Sequence, residues 1–166
     1  YIAGWEGAST QRDREAGFCA GLAEHGHKLF ARGVGDFRTE TAAKAARAMF
    51  SASEFPDAVF VANDHMAFAV IEELRGNLGL RVPEDVSVVG YDDVQLSRWS
   101  SFDLTTVRQP SGEMVAQTVA ALMAQIEDCE VEPRRVKIEG PLVVRGSARR
   151  PADWKANWKE CDDERL

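Results

Sequence analysis

The sequence predicts an α/β fold, a parallel open sheet with helices on both faces, and three observations carry that prediction. Short runs rich in β-branched apolar residues recur along the first two thirds of the chain; stretches with helical spacing of apolar residues lie between them; Gly, Pro and Asp punctuate each change. Strands that alternate with helices across short connections build parallel βαβ units. At 166 residues and 45% hydrophobic content, the chain can bury one core.

Residues 1–5 (YIAGW) read as a short first strand and 7–10 as a polar turn. A helix over 12–25 follows, with Ala16, Cys19, Ala20 and Ala23 inward and Gly26 as its C-cap. Residues 28–34 form a second strand, after which Thr39 N-caps an alanine-rich helix that turns Ala42, Ala46, Met49 and Phe50 inward. Pro56-Asp57 makes a turn, 58–62 is a buried strand, and Asp64 opens a helix through Ala67, Val70, Ile71 and Leu74 that the glycines of 76–79 end. The fourth strand lies in 82–93, VPEDVSVVGYDD, where Val86, Val88 and Val89 are buried, Gly90 ends the run, and Tyr91, Asp92 and Asp93 follow at the carboxyl edge. Beyond it come a strand at 104–107, a break at Pro110-Ser111, an amphipathic helix over 113–126, and strands at 136–138 and 142–144 around Gly140-Pro141. Trp154 and Trp158 sit at i, i+4 in a charged tail, 151–166, whose end is expected to fray.

Composition narrows the function. The net charge is -7, and no basic cluster exceeds Arg134-Arg135 or Arg149-Arg150, so the chain carries no DNA-binding surface of its own. Cys19, Cys129 and Cys161 are odd in number and show no CxxC or Cys/His ligand spacing. A reducing compartment is expected, with no metal and no cofactor. No apolar run approaches the roughly 20 residues of a spanning helix and no leader is visible, which predicts a cytoplasmic protein with no membrane partner. The absence of a starting methionine suggests a piece of a longer protein. An enzyme finds little support: GxSxG, P-loop and GxGxxG signatures are missing, and His25, His27 and His65 lie near helix ends. In open α/β sheets a solute binds beyond the carboxyl ends of the strands. Asp92 and Asp93 stand there.

Several motifs, in order, are similar to one family. VPEDVSVVGYDD at 82–93 is preceded by VFVANDHMAFAVIEELRGNLGLR at 59–81 and followed by DLTTVRQP at 103–110; RDREAGFCAGL at 12–22, GDF at 35–37 and LVVRGSARR at 142–150 complete the set. Residues 1–150 resemble the effector-binding domain of lactose-repressor family (LacI/GalR) transcriptional regulators. The resemblance implies a lobe of the periplasmic binding protein-like I fold. This chain supplies mainly the C-terminal lobe, with a crossover segment at about 110–140 belonging to the N-terminal lobe. It further implies a small effector held between lobes, a homodimer with contacts near 64–78 and 97–102, and operator DNA bound only through a headpiece outside this chain. Trp99 is expected in that dimer contact or at the pocket mouth.

The same resemblance assigns the site. Arg14, in the family's RxxGF pattern at 14–18, points a planar fork of five donors at the ligand, against the alternative of a solvated helix-start arginine. Thr10 matches a further contact, or else is a turn hydroxyl. Phe37 is the stacking aromatic, with a core phenylalanine as its alternative. Asp64 is expected to cap the helix after 58–62, which leaves Asn63 for a ligand hydroxyl. Asp92 is the ligand carboxylate, Asp93 a structural companion, and Gln109 a contact or hinge at the lobe crossover. An arginine, an aspartate, an asparagine and an aromatic suit a sugar or sugar derivative better than a purine. The rival with the same fold is a secreted sugar-binding component of a transport system, which a leader in the parent gene would favour.

Overall fold

A computed structural model of the chain describes residues 1–128, 132 and 135–150. Cys129, Cys161, Arg134, Trp154, Trp158 and the rest of the tail, on which earlier expectations fell, lie outside the described residues. Five strands and three helices build the lobe: β1 (Ile2–Ala3), α1 (Ser9–Glu24), β2 (Gly33–Val34), α2 (Thr39–Phe50), β3 (Ala58–Phe60), α3 (Asp64–Glu72), β4 (Ser87–Asp92) and β5 (Thr105–Arg108). The helix α4 (Ser111–Glu127) and the strand β6 (Leu142–Val143) follow.

β3, β4 and β5 pair in parallel, and β6 adds antiparallel to β5. β1 and β2 pair in parallel, and a parallel bridge between Ile2 and Val61 sets β1 beside the β3 strand. The spatial order is therefore β2-β1-β3-β4-β5-β6. Helices cover both faces, as the alternation predicts. Ile2 shares one face with Ala42 and Ala45 of α2, whereas its neighbour Tyr1 points the other way, stacks with Phe60 and meets Phe18 of α1 at a tilt. The core lies between the sheet and the α2/α3 pair, around Ile2, Val61, Met66, Val70, Ile71, Leu74, Val86, Val88 and Leu104.

Where the elements differ from expectation, pairing and packing supply the reason. The first two strands shrink from 1–5 and 28–34 to two residues each: among the described residues β2 pairs with β1 alone, and β1 reaches the β3 side through the single Ile2–Val61 bridge. α1 begins three residues earlier than expected and turns a different side inward. Gln11, Glu15, Phe18 and Leu22, spaced i, i+4, i+7 and i+11, face the protein, while Ala16, Ala20 and Ala23 are exposed. Phe18 and Leu22 bury more apolar area than alanines can, and Gln11 is held inward by the Gly4 amide, which donates to its Oε1 at 2.6 Å. Thr39 is not a cap: the Arg38 amide donates to Gly35 O at 2.9 Å, the turn closes one residue early, and Arg38 takes the N-cap position. α2 does bury Ala42, Ala46 and Phe50. α3 continues as a π-helical segment, Glu73–Asn77, before Gly79 turns with φ 68. Gly90 does not end β4, which runs on to Asp92. Val136 and Ile138 form no strand and lie beside α4. None of the residues of α4 is buried, and Met114, Val115, Val119, Leu122, Met123 and Ile126 are exposed.

Candidate functional site

The carboxyl ends of β1 to β5 and the first turns of α1 gather the expected residues at one edge. β4 ends at Asp92, whose backbone is left-handed (φ 127), as is that of Asp93 (φ 57). This bend sends the two carboxylates apart. Asp93 turns inward, its side chain 1% exposed, and accepts from Arg108 Nε at 2.5 Å and Arg145 Nη2 at 2.7 Å. Burial pushes the Asp93 carboxyl up, but the hydrogen bonds and charges of the two guanidinium groups outweigh it and hold the group below the usual carboxylate range. Asp93 is structural, as expected.

Asp92 turns to the crevice. Its Oδ1 accepts from Arg14 Nη2 at 3.3 Å and from the Gln109 side-chain amide. Its Oδ2 takes no hydrogen bond from the described residues. Burial raises the carboxyl above its ordinary range, against the pull of Gln109 and Arg14, because the arginine stands at the long end of hydrogen-bond distance. Arg14 is fixed on three sides. Nη1 donates to Ala62 O at 2.6 Å, Nη2 reaches Asp92, and the guanidinium carbon lies 3.9 Å from the centre of the Tyr91 ring. Stacking and two bonds hold the fork flat, with further N–H groups left over from its five. Sequence reasoning missed Tyr91, although its place between Gly90 and Asp92 in the motif was a visible signal.

Asn63, not Asp64, takes the capping role expected of Asp64, and Asp64 is a buried structural acceptor. Asn63 is the N-cap of α3: its Oδ1 accepts from the Met66 amide at 3.0 Å, with the extended backbone (φ -154) that a cap requires. Its side-chain amide nitrogen has no hydrogen-bond partner among the described residues. Asp64 is wholly buried and accepts from Ser97 Oγ at 2.7 Å, Thr106 Oγ1 at 2.6 Å and the Val94 amide at 3.0 Å. It ties the loop after β4 and the centre of β5 to the start of α3. Gly90 is needed for this, since a Cβ there would stand 2.3 Å from Asp64 Oδ1.

Phe37 follows β2, with Asp36 and Phe37 both left-handed (φ 56 and 55). Its ring is half-buried and covers Gly4: a Cβ on Gly4 would come within 2.1 Å of the ring. Only glycine lets the ring settle there. Thr10 lies in the first turn of α1, one helical turn before Arg14, and is exposed. Trp5, 59% exposed, leaves the same edge one residue after Gly4. The structure thus joins Arg14, Asp92 and Gln109 directly by hydrogen bonds, while Thr10 in the first turn of α1, Phe37 after β2 and Asn63 at the start of α3 sit at the same edge.

A sheet with a bent strand end, a desolvated carboxylate and a prearranged guanidinium describes a binding lobe of periplasmic-binding-protein type. The family model for the periplasmic binding protein-like domain matches residues 1–148, and the chain belongs to that family. Within it, the chain is an effector-binding domain of lactose-repressor type. It is 35% identical over 150 residues to the HTH-type transcriptional repressor PurR of Photobacterium profundum, covering 89% of this chain and 45% of that protein. A solved transcriptional regulator CelR-cellobiose complex superimposes with a TM-score of 0.82 at 34% identity, covering 89% of this chain and 45% of that one. The Lac repressor bound to ONPG in its repressed state does so with a TM-score of 0.79 at 28% identity, covering 89% and 44%. The chain spans less than half the length of these relatives.

Proposed function

We propose that this chain is the ligand-sensing part of a cytoplasmic transcriptional regulator, taking a sugar or sugar derivative against Asp92, Arg14, Gln109 and Phe37, with Asn63 and Thr10 at the margin. The observation that supports it best is Asp92. A carboxylate whose charged form is disfavoured by burial, and which keeps one oxygen open, gains from a ligand that brings hydroxyl hydrogens. Phe37, at the same edge of the sheet after β2, offers a ring face to pyranose C–H groups. The likeness to a regulator solved with cellobiose supports the same ligand class.

The other half of the site belongs to a second lobe. The exposed apolar side of α4, with Val136 and Ile138 bounding a groove of about 350 Å³, is the part of this chain that the second lobe covers, making 110–140 the crossover segment. α3, with Phe68 in contact with Phe102 at 4.5 Å between ring centres, and the nearby exposed Trp99 form the homodimer face. Effector binding changes the angle between lobes and the dimer passes the change to operator-binding headpieces, with coupling of roughly 1 to 3 kcal/mol. A thermal-shift screen of the full-length protein against sugars and purine bases tests the ligand class. A sugar that raises the melting temperature with concentration is the expected outcome; a response to purines alone refutes it. Operator binding by the full-length protein, altered by the same sugar, tests the regulator.

A further inference from the structure

Two aromatic rings stand at the carboxyl ends of the adjacent parallel strands β1 and β2, and one short loop seats both. Phe37, after β2, rests on Gly4. Trp5, after β1, rests on Gly7: a Cβ there would lie 2.4 Å from the indole. Each ring therefore has a glycine under one side. The loop that carries Trp5 is itself anchored, since Trp5 O accepts from the Ala8 amide at 3.0 Å and Glu6 pairs with Arg32 at 2.9 Å. With 59% of its surface exposed, Trp5 is the opposite of a core tryptophan. An exposed indole at this edge, with only two side-chain torsions to fix, costs little entropy to use.

We infer that Trp5 is a second stacking platform of the effector site, and that the effector is a carbohydrate of two rings, one unit held by Phe37, Arg14 and Asp92 and the next by Trp5. The inference rests on the sugar reading above. A single pyranose engages the polar group and Phe37; a second ring lies over the indole and adds buried apolar area without needing a further charged group.

The test uses the full-length protein and calorimetric titration with cellobiose, maltose, lactose and trehalose, alongside glucose and galactose. The expected result is that at least one disaccharide binds more tightly than its monosaccharide. Trp5→Ala weakens that disaccharide about ten-fold, a loss of roughly 1.4 kcal/mol. Monosaccharide affinity stays within about two-fold, and Trp5→Phe recovers most of the loss. Circular dichroism of Trp5→Ala matching the unaltered protein excludes misfolding, and Phe37→Ala weakens both ligand classes. Unchanged disaccharide affinity in Trp5→Ala overturns the inference and leaves the sugar reading standing; failure of the unaltered protein to bind any of the six sugars overturns both.

Discussion

Asp64→Ala gives the sharpest test of how this lobe is held together. The carboxylate is 0% exposed and receives three donors, Ser97 Oγ at 2.7 Å, Thr106 Oγ1 at 2.6 Å and the Val94 amide at 3.0 Å. Ser97 and Thr106 are also 0% exposed, so neither hydroxyl has water to turn to, whereas Val94 is only half-buried. An orphaned buried donor costs about 1 to 3 kcal/mol, and removing a buried charge returns part of that sum. The net loss is about 3 kcal/mol, which for a domain of this size lowers the melting temperature by about 6 to 12 °C. Asp64→Asn keeps one oxygen acceptor and the volume, and falls between. Urea denaturation at neutral pH, with unchanged m-values, measures both. The argument also demands coupling, because Asp64 Oδ1 occupies the space above Gly90. Gly90→Ala is costly in the native background, by about 1 to 3 kcal/mol of overpacking, and less so beside Asp64→Ala. A loss below about 1 kcal/mol for Asp64→Ala, or equal costs of Gly90→Ala in both backgrounds, refutes the reasoning.

Asp92→Asn weakens sugar binding yet stabilises the unliganded protein at neutral pH. Burial raises the folded-state pKa of Asp92, so its favourable contribution exists in acid and is lost as pH rises through that value; the variant's advantage therefore grows with pH, and a pH-independent difference in denaturation midpoint contradicts it. Asp93 has the opposite sign: its pKa is depressed, so its stabilisation is present above the ordinary aspartate range and lost as pH falls. Arg145→Met, leaving Arg108 as the remaining partner, costs about 2 to 3 kcal/mol at neutral pH and flattens the acid limb of the stability profile, measured by denaturation between pH 2 and 7. Gly4→Val displaces the Phe37 ring, which lies 2.1 Å from the added Cβ, and so lowers sugar affinity with a smaller effect on stability than Phe37→Ala; titration and thermal melts of both variants decide.

Much of the lobe is legible in the chain because its determinants are local. The alternation of β runs and helical stripes needs only neighbouring residues, and so does the inward side of α2 at Ala42, Ala46 and Phe50. The motif VPEDVSVVGYDD placed two carboxylates at a sheet edge, and its neighbours marked Asp93 as structural, which the paired arginines bear out. What the tertiary structure alone decided is which residue meets which. Asn63 and Asp64 are both good caps, and sequence cannot choose between them when the deciding partners, Ser97 and Thr106, stand 33 and 42 residues away. Arg14 meets Asp92 across 78 residues because β3 alone separates β1 from β4 in the sheet. Gly90 reads as a strand end and is instead the gap through which Asp64 reaches β5. Local spacing sets which side of a helix or strand is apolar; sheet order sets which polar groups come within 3 Å, and hydrogen bonds are too short-ranged for spacing along the chain to reveal them.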